Sequence, residues 1–525
     1  SAQFHEGLHD KDRRRFMRRV ILTMLLSVWI QGALWGQGVR VGTSDQIPAE
    51  SPVNLYLCPP CVPWDSTTAA HLMRRAGFNA SPEELDQLVE IGFEATLNEL
   101  LNYEEVDDSE MEEGLAEKNY PLTKVNKNNG KILPDTGQMQ RWWLFRMVNS
   151  KRQLLEKMTY FWHDHFATSV KTVKQVAPDG HSYMMAQNDL LRKYALGNFK
   201  EMVEAVTVDP AMLVWLDNRS NVKKRPNENW ARELVELFTM GVGNYTDEDV
   251  MEAARAFSGW GLNNKTGKFT FYRNKHDFGM KIFLDVTGPL DGGDVIDIIF
   301  EQDVTAEFIA RKLFKFFVYT EPSREVIVEL ADVFRKSGYE MRPLMRAIFE
   351  HPEFYSDRAY RSLIKSPTEL FVGMLRELGM SDPQFLPRYM IDTGQELFAP
   401  PDVSGWTSGV GWVNTTTALA RYNFFNYLTS LRGEYSLDFV EWFDNRKPKN
   451  FPGYQLSGFD IVALFLDAIV KGDISVDTRY ELEQYMFTAD NGKTVAWDIA
   501  DKVMFDKKAR GVLYLISILP AYQLN

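Results

Sequence analysis

Helix-start signals recur along most of this chain, and they constrain its fold more than any other feature. Asp65-Ser66 can cap a helix running through His71, and Ser81-Pro82-Glu83-Glu84 is a capping box with proline in the first turn. Thr246 and Asp249 repeat the box. In such a box the hydroxyl oxygen accepts from an N–H that the first helical turn leaves unpaired, so these positions mark where helices begin. Between them the apolar spacing is helical: Leu154, Met158, Phe161 and His165 fall on one face at steps of four, three and four. Further helices are predicted over 305–318, 325–336, 342–349, 367–378 and 415–431. One strand pair stands out, 269–273 with 280–284, whose alternating apolar residues flank a turn from Asn274 to Gly279 and read as a hairpin. The strongly acidic stretch 104–117 carries few large apolar residues and is expected to be a solvated loop.

The N-terminus adds a different signal. Arg13, Arg14, Arg15, Arg18 and Arg19 immediately precede an apolar run from Val20 to Gly36. Its seventeen residues are the short end of what crosses a hydrocarbon core, and the cationic flank stays cytoplasmic. Asp12-Arg13-Arg14-Arg15-Phe16-Met17-Arg18 also resembles the twin-arginine export signal. Gly32-Ala33-Leu34-Trp35-Gly36 makes a poor cleavage site, so a retained single-pass anchor is expected, with the lipid bilayer contacted through 20–36 and the bulk of the chain periplasmic. A tether over 37–64 holds the only cysteines, Cys58-Pro-Pro-Cys61; in an oxidising compartment they are expected to form a local disulfide rather than a redox pair or half a zinc site. The expected fold is mainly α. A large multi-helix domain over 65–430 carries one small β-hairpin, follows the N-terminal anchor helix, and precedes a helical extension over 431–525.

Of the 525 residues 45% are apolar, ample for a buried core. The net charge is -13 and no cationic stripe lies beyond the N-terminus, which argues against nucleic acid as a partner. Chemistry concentrates in three places. Phe161-Trp162-His163-Asp164-His165-Phe166 supplies imidazoles, the usual material of a transition-metal site. Asn227-Glu228-Asn229-Trp230-Ala231-Arg232-Glu233 runs on to Glu236; on a helix Asn229, Glu233 and Glu236 share a face and Arg232 pairs with Glu236. His276 and Asp277 stand at the hairpin tip with Lys281 just beyond. The metal candidates are therefore His163, His165, Glu233, Glu236, His276 and Asp277, holding a divalent transition metal; Glu233 or Asp277 would move a proton, and Lys281 or Arg232 would steady negative charge. Against this, His163 and His165 point roughly 200° apart on a straight helix, so one ion cannot take both without a break. The alternative is a set of hydrogen-bonded core histidines and interhelical ion pairs. Esterase-elbow, P-loop, dinucleotide and H-E-x-x-H patterns are missing. Ser404 reads as a turn residue beside Asp402, and Trp406 and Trp412 as packing residues.

At these motifs the chain resembles a family of exported bacterial proteins, domain of unknown function 1800. The matching stretches are Ala69 to Phe78, Phe161 to Ser169, Asp209 to Asn218, Arg225 to Leu234, Tyr245 to Trp260, His276 to Gly279 and Pro400 to Trp406. The resemblance implies an exported protein with a twin-arginine-like leader and implies no reaction. Two functions are carried forward. The first is a membrane-anchored accessory subunit that stabilises a larger membrane or periplasmic protein complex, be it photosynthetic, respiratory or secretory. The second is a metal-dependent hydrolase or oxidoreductase exported folded.

Overall fold

The computed structural model describes residues 62–525 apart from 126–129, 131, 177–179, 264, 433–435, 447–455, 473, 490–491 and 498–499. The expected anchor over 20–36 and the Cys58-Cys61 pair lie outside the described residues. Among the described residues no helix is long and apolar enough to cross a membrane. The chain is mainly helical, with 24 α-helices and three two-stranded antiparallel pairs among the described residues.

The predicted starts hold in detail. Asp65 accepts from the Thr67 and Thr68 N–H groups and opens Ser66–Ala76, Ser81 opens Pro82–Ile91, and Thr246 opens Asp247–Ala256, each through a reciprocal box. The later predictions match Asp303–Phe317, Arg324–Lys336, Met341–Glu350, Pro367–Leu378 and Thr415–Ser430. Two expectations are corrected. The acidic stretch is not a loop: Ser109–Lys118 is a helix whose Met111 and Leu115, four residues apart, pack on Phe145. Two apolar residues on one face suffice once a ring is there to receive them.

The second correction concerns the hairpin. Phe269–Phe271 pairs back with Trp260–Leu262, while Lys281–Phe283 pairs forward with Val286–Gly288. The intervening chain crosses Gly259, which has φ +80°; a Cβ there would lie 2.7 Å from the Tyr272 carbonyl oxygen. The Tyr272 N–H donates to Gly259 O at 2.7 Å, which turns the strand towards 260–262 and away from 280–284. The alternation was genuine, but each strand found a nearer partner.

Packing divides the chain into two compact units, parting between Thr407 and Ser408. In the C-terminal unit, Thr415–Ser430 packs with Lys502–Ser517, and Arg510 donates to the carbonyls of Thr429 and Leu431. The 415–430 helix packs within this unit.

The other unit is organised by Gln153–His165. Twelve of its thirteen residues are buried, every one except Asp164. A surface helix keeps a polar face in water; this one has none, so each of its polar side chains must find a partner inside the protein. Gln153 donates to the carbonyls of Met147 and Ser150, Lys157 pairs with Glu369 at 2.5 Å, and the Tyr160 hydroxyl accepts from Gln395 at 2.6 Å. Glu156 accepts from Trp143, Arg146 and Arg192.

Candidate functional site

The last turn of this central helix carries His163, Asp164 and His165, and three segments converge on it. The loop 398–406 supplies backbone donors: Phe398 N–H donates to His163 Nε2 at 3.2 Å, and Trp406 N–H to Asp164 Oδ1 at 2.7 Å. Leu234–Thr239 supplies carbonyls. It is a π-helical turn that continues Asn229–Glu233, and its widened backbone presents Phe238 O to His165 Nε2–H at 3.0 Å. Asp303–Phe317 supplies Lys312, whose Nζ lies 2.9 Å from His165 Nδ1 and 3.4 Å from Leu237 O. The imidazoles therefore point to opposite sides of the helix, as their spacing required, and each meets protein atoms.

Burial holds both rings neutral. It brings His163 down to about 3 and takes His165 well below its ordinary value, the latter with help from the Lys312 ammonium. Asp164 and Lys312 are each partly exposed. Burial pushes Asp164 up to about 6, against the Trp406 N–H and the Lys312 charge. Burial brings Lys312 down to about 8, opposed by Asp164. Each charge partly offsets the burial that works against the other. Neither was singled out from the sequence. Asp164 stood between the two histidines and could have been; Lys312, one lysine in a helix, carried no signal.

The raised Asp164 makes a checkable statement about pH. Its native form keeps a proton between 3.8, its ordinary value, and about 6, so stability is lost as pH rises through that window. Asp164→Asn should abolish this slope. Urea midpoints between pH 4 and 6.5, roughly the window set by those two values, should fall for the parent relative to the variant; parallel curves would contradict the assignment.

The other candidates are placed elsewhere or engaged. Glu233 lies near Glu236 and is raised by burial and by that neighbour. Glu236 accepts from the Tyr245 hydroxyl at 2.7 Å. Arg232 pairs with Glu228 and Asp247, not with Glu236, because the π turn starting at Leu234 breaks the four-residue register. His276 donates from Nδ1 to Ser258 O at 2.7 Å, its ring between Phe271 and Phe278. Asp277 is bonded by Arg255 at 2.9 Å and held below its ordinary value by that bond, and Lys281 Nζ donates to the carbonyls of Asp277 and Gly279. Among the described residues, no three His, Cys, Asp or Glu side chains converge as a metal-ligand set. His163, His165, Glu236, His276 and Asp277 each bond to other protein groups instead. Ser404 bonds Asp402 in a tight turn, and Trp406 and Trp412 are buried, both as expected.

A groove of about 890 Å³ is lined by the 247–256 helix, the 281–288 hairpin and the segment from Gly243 to Thr246. Sequence reasoning missed it. Strand Lys281–Phe283 turns Lys281 and Phe283 inwards and Ile282 outwards, so Ile282 is 57% exposed, beside Met280 at 60% and Met251 at 43%.

The family model described as Protein of unknown function (DUF1800) matches residues 71–524. The chain belongs to that family. The DUF1800 match runs through both compact units, so the C-terminal helices are part of it and not an appendage. No curated protein and no solved structure matches this DUF1800 chain.

Proposed function

We propose that this DUF1800 protein is an accessory subunit held at the outer face of the cytoplasmic membrane, where it stabilises a larger membrane protein assembly by docking. The observation that carries this reading is the groove beside the 247–256 helix, where Met251, Met280 and Ile282 stand in solvent around a concavity. Contiguous exposed apolar side chains beside a concavity mark interaction surfaces, and methionine suits them because its unbranched thioether repacks readily. The polar residues of the central helix end support the same reading, since each bonds within the protein. The cationic and apolar run over 13–36 supports the membrane placement. Metal-dependent hydrolysis or oxidation lacks comparable support, because no ligand set converges among the described residues.

Ile282→Asp tests the docking. Native membranes solubilised in mild detergent should carry the parent chain within a larger assembly, and the variant should migrate as a free, folded chain. An anchor of this kind is expected to contribute about 2 kcal/mol or more to association. A parent chain that migrates alone at its own mass would sink the reading.

A further inference from the structure

The charges of the groove say what it accepts. Its two cations are consumed internally: Arg255 is clamped between Glu252 at 2.6 Å and Asp277 at 2.9 Å, and the Lys281 ammonium, buried, caps the carbonyls of Asp277 and Gly279. Asp249 is likewise occupied, accepting from Thr246 and from the Leu284 N–H. Glu248 and Asp285 remain. Both line the groove, both are exposed, and neither has an ion pair among the described residues. The concavity therefore offers an apolar wall of Met251, Met280 and Ile282 with free charge of one sign at its rim.

We propose that the groove docks a basic, amphipathic segment of a partner protein, its apolar face against Met251, Met280 and Ile282 and its lysines or arginines against Glu248 and Asp285. The inference rests on the docking reading above and deepens it by naming the partner's chemistry. The same acidic rim rules out the competing occupant of an apolar patch near a bilayer, because anionic lipid headgroups would meet like charge. Steering by exposed charges acts over roughly a Debye length, about 10 Å at 0.1 M salt, so association weakens as salt rises.

The test uses the full chain and two synthetic probes, a short amphipathic peptide of leucine and lysine and its leucine–glutamate counterpart, followed by fluorescence anisotropy at low and physiological salt. The lysine probe is expected to bind about ten-fold more tightly than the glutamate probe, with the gap shrinking in salt. The double variant E248K/D285K, its fold checked by circular dichroism, should reverse the preference. Equal binding of the two probes, or a lysine preference that survives the double variant, would overturn the proposal. In native membranes the failures separate. Release by I282D but not by E248K/D285K would overturn the basic partner and leave docking standing. Retention of both variants in the assembly would overturn both.

Discussion

Replacing Glu156 by glutamine is expected to lower stability by roughly 3–5 kcal/mol, the usual result of removing one partner from a buried ion network. Glu156 is fully buried in the first turn of the Gln153–His165 helix and accepts from Trp143 Nε1, Arg146 Nε, and both Nε and Nη2 of Arg192, all within 3.1 Å. Burial pushes its carboxyl upward, but the Arg192 and Arg146 guanidiniums outweigh it and hold it at about 2. Both arginines keep a second, more exposed carboxylate, Glu112 for Arg146 and Asp189 for Arg192. They would not be stranded entirely in the variant, which places the expected loss towards the lower end of that range.

The pH dependence follows with a fixed sign. The folded value of about 2 lies below the ordinary 4.5, so this contribution is complete above pH 4.5 and disappears as pH falls towards 2. Urea melts of the parent chain should show that acid-side loss, and Glu156→Gln should be flatter across the same window while less stable at neutral pH. A variant within about 0.5 kcal/mol of the parent at pH 7, the scatter of ordinary surface substitutions, would mean the network contributes nothing net.

How much of this was legible beforehand divides by range. Ser81, Thr246 and Asp65 declare helix starts because a cap is a contact across three residues, entirely local in sequence. The face shared by Leu154, Met158, Phe161 and His165 is local too. What lay beyond reach is that the opposite face of that helix is also buried. Its polar residues are matched by Glu369, Gln395, Phe398 and Trp406, more than two hundred residues away, and periodicity carries no record of distant partners. The histidines show both sides of this. Their divergence on the helix was readable from spacing and held; their partners, two backbone groups and Lys312, were not. Likewise the strands near 270 and 281 were readable as strands, but pairing depends on where the chain can turn, and Gly259 decided that.

The same central helix makes Gly405 the position where a single methyl group should do most harm. Gly405 has φ +88°, and a Cβ built there lies 2.3 Å from Asp164 Oδ1 and 2.7 Å from the Asp164 carbonyl oxygen. An L-residue in that backbone region costs about 1–2 kcal/mol from its own sterics. The nearer oxygen belongs to the side chain, but the carbonyl oxygen at 2.7 Å is backbone of the helix end and cannot rotate aside, so the 398–406 loop must lift, with overpacking adding roughly 1–3 kcal/mol. Lifting it would also stretch the bond from the Trp406 N–H to Asp164, which lies one residue away along the loop. Gly405→Ala is therefore expected to cost about 3 kcal/mol, the sum of its two parts. Gly394→Ala serves as its control, because Gly394 has φ +92° with nothing within 4 Å of a Cβ and should show the backbone cost alone. Calorimetric melting of the two variants separates the terms. A larger loss at 405, with a changed near-ultraviolet signal as Trp406 shifts, would show that the loop is seated against Asp164 by contact. Equal losses would mean the seat is loose enough to admit a methyl group, and Asp164 would then be open to water rather than pressed beneath the turn.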